Sequence, residues 1–156
     1  YKMQFINYFF ASVASYLGLL IGVMLVKMAP EEQKPLEKYF VLLRKILLLM
    51  IFLFILFYYL NDYLNILILI AYLAFLLFAE YKLKDLSKKS IVTYTILGIL
   101  FFLSSKNQNL FTIESSLILL YGLPTASLLY NKREKNYRIL LYSSGFVLIA
   151  NLLYFL

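Results

Sequence analysis

Residues 46–60 read ILLLMIFLFILFYYL, an apolar run without a charged residue, a glycine or a proline. Strands of membrane barrels alternate apolar and polar side chains, whereas this run is apolar at every position, so it predicts a transmembrane helix. A helix needs about 20 residues to cross a hydrocarbon core about 30 Å thick. Five further apolar stretches of comparable character occupy most of the remaining chain.

The sequence therefore predicts an all-α polytopic membrane bundle, with residues 1–156 forming one membrane domain. The predicted spans are Phe5–Val26, Tyr39–Leu60, Tyr63–Ala79, Ile91–Ser104, Leu110–Tyr130 and Tyr137–Leu156. Short connections join them into three consecutive hairpins. The composition agrees, because 63% of the residues are hydrophobic, against roughly 45–50% in soluble domains.

Positive charge is concentrated in alternate connections. Thirteen of the 15 Lys and Arg residues lie in the first, third and fifth connections or in the span ends beside them, and only Lys2 and Lys106 lie on the other side. Short basic loops stay in the cytoplasm, so both termini are predicted to lie outside. Basic residues beside apolar spans favour contact with anionic lipid headgroups over nucleic acid. The candidate headgroup contacts are Arg44, Lys45, Lys88, Lys89, Arg133 and Arg138, and Arg44 and Lys45 are expected to extend to the interface.

The absence of Cys and His limits the chemistry open to this chain. Thiolate catalysis, His-based proton transfer and the usual zinc ligands are excluded. No catalytic residue, metal site or cofactor is predicted, and enzymatic activity is not expected. The plasma membrane of a prokaryote is the expected location.

Glu114 is the only acidic residue inside a predicted span. A carboxylate at that depth is costly unless it pairs, protonates or reaches water. We predict that it faces protein, and that Asn151, Asn7 and Asn65, which enter from the same side, form a polar site with it for a cation, a proton or a polar headgroup. The alternative is a charge near a helix N-terminus, favoured by the helix dipole and wetted by headgroup water.

Gly122 and Pro124 lie in the middle of the fifth predicted span. Proline removes one backbone donor and glycine adds freedom, so a kink or a short unwinding is expected there. Broken helices at this depth form transport sites in some membrane proteins. A purely structural kink, with Thr125 and Ser127 bonding the released carbonyls, is the simpler interpretation.

Small residues recur at helical spacing in the first span, at Ser15, Gly18 and Gly22. Such a stripe predicts a close helix contact, either with another span of the same chain or with a second copy. Two boundaries are also predicted. Residues 28–35 should be an irregular segment, either a connector or a docking loop, and Ser90 should cap the fourth span.

Three functions remain open from the sequence. The first choice is a non-enzymatic subunit or scaffold that packs against other membrane proteins or lipids, as a homo- or hetero-oligomer. The second is a small oligomeric channel or transporter that uses the Glu114 region and the Gly122–Pro124 break. The third is a protein that binds a lipid or another apolar ligand between its hairpins.

Overall fold

The computed structural model describes residues 4–59, 63–82, 85–131 and 136–155. Every regular element in these residues is helical, which confirms the predicted all-α class. The helices are α1 (Phe5–Met28), α2 (Gln33–Tyr58), α3 (Tyr63–Lys82), α4 (Leu86–Ser104), α5 (Gln108–Asn131), α6 (Asn136–Ser143) and α7 (Gly145–Tyr154).

Five helical segments among the described residues are long and apolar enough to cross a membrane. They are Phe5–Met28, Pro30–Tyr58, Leu86–Ser104, Gln108–Tyr130 and Tyr137–Tyr154. The remaining predicted span coincides with α3, a helix of 20 residues. The fold is that of a polytopic helical membrane protein.

Helix α5 lies at the centre of the bundle, where α1, α2 and α4 all pack against it. Helices α1 and α5 run in the same direction, since Ser15 meets Ser115 and Gly22 meets Leu123 and Ala126. Helix α4 packs mainly on α7, and Gly98 allows the Phe146 backbone to approach it. The principal packing partners are therefore not neighbours in sequence, although the chain order follows the predicted hairpins.

Side-chain hydrogen bonds fasten α1 to the last predicted span. The Tyr8 hydroxyl donates to the Ala150 carbonyl oxygen at 2.8 Å, and the Tyr16 hydroxyl donates to the Leu140 carbonyl oxygen. Tyr8 also packs its ring between aromatic side chains of α4, α5 and α7. Buried polar groups in lipid need such internal partners, because the bilayer core supplies none.

Two predicted boundaries are wrong. Helix α2 begins at Gln33, six residues before the predicted start, and Pro30–Glu32 forms a 3-10 turn, so most of the supposed irregular segment is helical. Helix α4 begins at Leu86, where the Asp85 carboxylate accepts a hydrogen bond from the Ser87 amide at 3.1 Å. Ser90 lies inside α4 and is not its cap. The Asp85 cap extends α4 beyond its apolar run, whereas α2 follows directly on the 3-10 turn and its N-cap residue, Glu32, makes no side-chain capping bond.

Helix α5 is not interrupted as expected; the break lies in the last predicted span. Helix α5 continues through Pro124 without unwinding, and the Thr125 hydroxyl donates to the Tyr121 carbonyl oxygen at 2.8 Å. The last predicted span is divided at Ser144, whose amide bonds the Leu141 carbonyl oxygen in a tight turn before α7 begins. The helix break therefore lies at Ser144 and Gly145 in the last span, whereas Pro124 does not break α5.

Candidate functional site between α2 and α3

An elongated groove of about 600 Å³ separates α2 from α3. Its apolar walls come from one face of each helix. The lining side chains are Leu48, Leu49, Phe52, Leu53 and Leu56 from α2 and Leu69, Ile70, Leu73 and Leu77 from α3. The α2 positions form two adjacent rows spaced three or four residues apart, which is why a single helix face supplies them. Arg44 and Lys45 of α2 and Lys89 of α4 complete the lining.

The groove has a buried floor and exposed edges. Phe52 and Leu69 form the floor, with 5% and 2% of their surface exposed, whereas Leu53 and Leu77 at the edges are 52% and 62% exposed. The opening therefore lies on the outer surface of the bundle. Helix α2 is one of the candidate membrane spans, so in a bilayer this surface would border lipid acyl chains.

Charge is confined to one end of the groove. Arg44 and Lys45 are the first groove residues on α2, and Lys89 lies in the first turn of α4. From Arg44 to Leu56 the α2 wall extends about 18 Å at 1.5 Å per residue. The site is therefore amphipathic along its length, with three cationic side chains at one end and apolar walls beyond them.

The Arg44 side chain is buried in the bundle and does not extend outward as predicted. It is 6% exposed, and its Nε–H donates to the Tyr121 hydroxyl of α5 at 2.8 Å. Leu47, Ile51 and Ile55, three, seven and eleven residues later, are all buried. Arg44 thus continues the stripe of α2 that faces the core, and the expectation that it extends outward is wrong.

Tyr121 is itself fixed by the core. It is fully buried, its ring centroid lies 5.7 Å from that of Tyr94, and the Arg44 guanidinium carbon lies 5.8 Å from the Tyr121 ring centroid. Gly122, the next residue, is in contact with the α1 backbone. The position of the phenol, and of the guanidinium that bonds it, is set by the bundle interior.

The other predicted headgroup contacts lie apart from the groove. Lys88 is exposed on α4 and Arg138 is exposed on α6, and neither lines the groove. Arg133 lies outside the described residues. Among the predicted contacts, the groove brings together Arg44, Lys45 and Lys89.

In the described residues, no hydrogen bond joins Glu114 to the asparagines of the predicted polar site. Glu114 is fully buried, so it does face protein, but neither carboxyl oxygen has a hydrogen-bond partner among the described residues. The Asn151 amide instead donates to the Ser12 hydroxyl and the Val147 carbonyl oxygen. Asn7 is exposed. Asn65 lies in α3, and its side chain is outside the described part of the structure.

The small-residue stripe packs within the chain. Ser15 donates to the Ser115 carbonyl oxygen at 3.1 Å, and Gly18 and Gly22 face the α5 backbone at residues 119 and 123. Gly122 is the matching position on α5, in contact with Gly18 and Leu19. This arrangement allows close contact between α1 and α5, as small residues do in membrane bundles.

Within the described residues, no group of three or more acidic side chains is placed to hold a metal ion. Comparison of the chain with models of protein families, with curated proteins and with solved structures finds no match. The function has therefore to be inferred from the geometry of this site.

Sequence reasoning missed the groove itself. The sequence shows Arg44 and Lys45 as charges beside an apolar span, and it contains the leucines that form the α2 wall. However, residues 46–60 are apolar at every position, so their pattern does not distinguish the face toward α5 from the face toward α3. Only the tertiary arrangement separates them.

Proposed function

We propose that this protein binds a membrane amphiphile, lipid-like in shape, in the groove between α2 and α3. The observation that carries the proposal is the groove itself, a space of about 600 Å³ with an apolar interior, a lateral opening and a cationic end. Ligand pockets in proteins commonly have volumes of about 300–1,000 Å³ and are lined mainly by apolar side chains with a few polar groups.

The lateral opening favours a ligand that enters from the bilayer. An acyl chain placed against Phe52 and Leu69 would leave contact with other lipids on one side and gain contact with buried side chains on the other. Hydrophobic transfer alone does not favour that exchange, because lipid tails are as apolar as leucine. Packing in a preformed groove and the cationic end are the features that would retain a particular ligand.

Among the three functions considered from the sequence, this geometry supports lipid binding best. The transporter interpretation has less support, because α5 is continuous through Pro124 and the Glu114 carboxyl oxygens have no hydrogen-bond partner in the described residues. Location in a prokaryotic plasma membrane remains part of the proposal, supported by the apolar helices and the distribution of basic residues.

A photoreactive lipid tests the proposal. The probe carries a diazirine at the end of its acyl chain and is added to the protein in nanodiscs, and crosslinked peptides are identified by mass spectrometry. Crosslinks are expected within residues 48–56 of α2 and 69–77 of α3. Crosslinks spread evenly over all lipid-facing helices would overturn the proposal.

A groove-filling variant provides a second measurement. Leu53→Trp places an indole at the edge of the groove and should reduce the α2–α3 crosslinks severalfold. Leu43→Trp is the matched control, because Leu43 is on the same helix and also exposed, at 44%, but does not line the groove. Equal effects of the two substitutions would show that the crosslinks arise outside the groove.

A further inference from the structure

The buried carboxyl group of Glu114 lies apart from the groove, which is lined by residues of α2, α3 and α4. We propose that Glu114 is a proton-binding site, and that release of its proton requires α4 and α5 to move apart beside it. The site lies near the end of the bundle where α4 connects to α5, since α5 begins at Gln108, about 9 Å before Glu114 at 1.5 Å per residue. This inference does not rest on the proposed amphiphile binding.

Glu114 shares a face of α5 with two residues that contact α4. Phe111, three residues before it, has its ring centroid 4.8 Å from that of Phe101. Tyr121, seven residues after it, has its ring centroid 5.7 Å from that of Tyr94. Because positions three and seven residues away lie on the same side of a helix, the two aromatic contacts bracket the carboxyl group between α4 and α5.

The immediate surroundings of the carboxyl group are apolar. Leu110 and Ile118, four residues away on either side along α5, are fully buried. The hydroxyls of Thr112 and Ser115 donate to carbonyl oxygens of α5 itself. Both oxygens of Glu114 are buried without a hydrogen-bond partner among the described residues. A carboxylate would have neither water nor a donor there, so the uncharged acid is the form that this environment favours.

The phenols on the neighbouring helices engage other groups. Tyr8 and Tyr16 of α1 donate to carbonyl oxygens of the last span, and Tyr59 at the end of α2 donates to a carbonyl oxygen of α4. Tyr94 of α4 packs against Tyr121. These side chains therefore do not supply the donor that a carboxylate at position 114 would need.

The cations near α5 lie at other levels of the bundle. Arg44 of α2 bonds Tyr121, about 10 Å from Glu114 along α5 at 1.5 Å per residue. Lys106, in the connection before α5, is exposed. Helix α6 begins beyond the opposite end of α5, which lies about 25 Å from Glu114 on the same scale. The titratable side chains of α6 are Tyr137, Arg138 and Tyr142.

A proton is the ligand that suits this position. Calcium and magnesium ions take about six or more oxygen ligands, whereas Glu114 supplies two oxygens and shares its face with apolar side chains. One proton neutralises the carboxyl group without any further ligand. The geometry therefore favours a bound proton over a bound metal ion.

Loss of the proton would leave a negative charge between the two aromatic contacts. That charge needs water, and water can reach it only if side chains of α4 and α5 separate. The contact between Phe101 and Phe111 is three residues from Glu114 and faces the α4–α5 connection. It is therefore the part of the interface that should open when the proton leaves.

Infrared spectroscopy of the purified chain in an alkyl maltoside, a detergent without a carbonyl group, tests for the proton. The C=O stretch of an uncharged carboxylic acid is separate from the carboxylate and peptide bands. At pH 7 the wild type should show this band and Glu114→Gln should lose it. Glu37→Gln is the matched control, because it makes the same chemical change at an exposed position of α2, and it should keep the band.

Two results would overturn the proton site. A wild-type spectrum without the band would show that Glu114 is ionised, and a band that persists in Glu114→Gln would place the proton on another acid. The wild-type spectrum can contradict the inference by itself, so the test does not depend on the folding of the variant.

The pH dependence of unfolding provides a second measurement. An exposed glutamate releases its proton above about pH 4.3, whereas folded wild type is proposed to retain it, so raising the pH favours the unfolded state. Relative to Glu114→Gln, the ratio of unfolded to folded wild type in mixed micelles should rise up to about tenfold per pH unit between about pH 5 and pH 7. Parallel curves for the two proteins would overturn the proton site.

Exchange in heavy water tests the opening between α4 and α5. Replacement of the acid proton by deuterium moves the carboxyl band to lower frequency, so the rate of that change reports how often solvent reaches Glu114. Phe111→Leu removes the ring that meets Phe101 and should accelerate exchange severalfold. Phe57→Leu is the control, the same change at an α2 position that is 70% exposed. Equal rates in the two variants would overturn the proposed opening.

Discussion

Gly122 of α5 and Gly18 of α1 are in backbone contact: a Cβ atom built on Gly122 would lie 2.6 Å from the Gly18 carbonyl carbon. Carbon atoms in favourable contact lie about 3.5–4.0 Å apart. The Gly122 Cα and the Gly18 carbonyl both belong to helix backbones, so neither can move away by a change of rotamer as a side chain could. The helices would have to separate to admit even a methyl group.

Gly122→Ala should therefore destabilise the bundle by about 1–3 kcal/mol, the usual cost of overpacking a close contact. The expected readout is a lower thermal unfolding temperature in detergent. Gly145→Ala is the control, since the nearest atom to a Cβ there is the Thr95 hydroxyl at 3.5 Å, an ordinary contact. Equal stability of both variants would show that α1 and α5 are less closely packed.

Replacement of Glu114 by methionine should raise stability. The carboxyl group is buried and its oxygens have no hydrogen-bond partner in the described residues. An unsatisfied buried polar group costs about 1–3 kcal/mol, which an apolar side chain of similar length would not incur. Thermal unfolding in detergent provides the measurement, with exposed Glu31→Met as the control. A loss of stability in Glu114→Met would reveal a bound water, ion or other partner and revive the polar site.

The Asn151–Ser12 hydrogen bond should appear as a coupling between α1 and α7. The Asn151 amide donates to the Ser12 hydroxyl at 3.0 Å. Hydrogen bonds between membrane helices average about 0.6 kcal/mol in double-mutant cycles. A cycle built from Asn151→Ala and Ser12→Ala, measured by reversible unfolding in mixed micelles, should give a coupling of about that size. Additive effects of the two substitutions would contradict the contact.

Orientation can be tested with single cysteines, because the chain has none of its own. Cysteines at Lys34, Lys84 and Lys135 should resist an impermeant thiol reagent in intact cells, and one at Lys106 should react. The reason is the concentration of basic residues in alternate loops. After membrane permeabilisation all four should be labelled, which controls for accessibility. Labelling of the first three from outside would reverse the predicted topology.

The positions of the helices could be predicted from the sequence because lipid requires long apolar runs. Residues 46–60 specify a membrane helix in any tertiary arrangement. Their ends were less predictable, since Asp85 and residues 30–32 extend helices through capping and local turns. These helix ends depend on a few hydrogen bonds, which the hydrophobicity pattern does not reveal.

The sequence does not predict which helix packs against which. The stripe of Ser15, Gly18 and Gly22 indicates how closely another helix can approach, but many helices could make that approach. The same limitation hid the role of Arg44. A charge on a uniformly apolar helix can face lipid or the core, and the choice depended on the Tyr121 hydroxyl, which lies 77 residues away in sequence.

The pairing of α1 with α5 has a consequence for biosynthesis. Helices emerge from the ribosome in order, so the first helix enters the membrane well before the helix that contacts its glycines. About 100 residues separate Ser15 from its acceptor at Ser115. Until then, the close-approach surface of α1 has only lipid or other proteins beside it. Completion of the bundle must follow insertion of α5, and a nascent chain arrested after α4 would leave the Gly18–Gly22 surface of α1 without its partner helix.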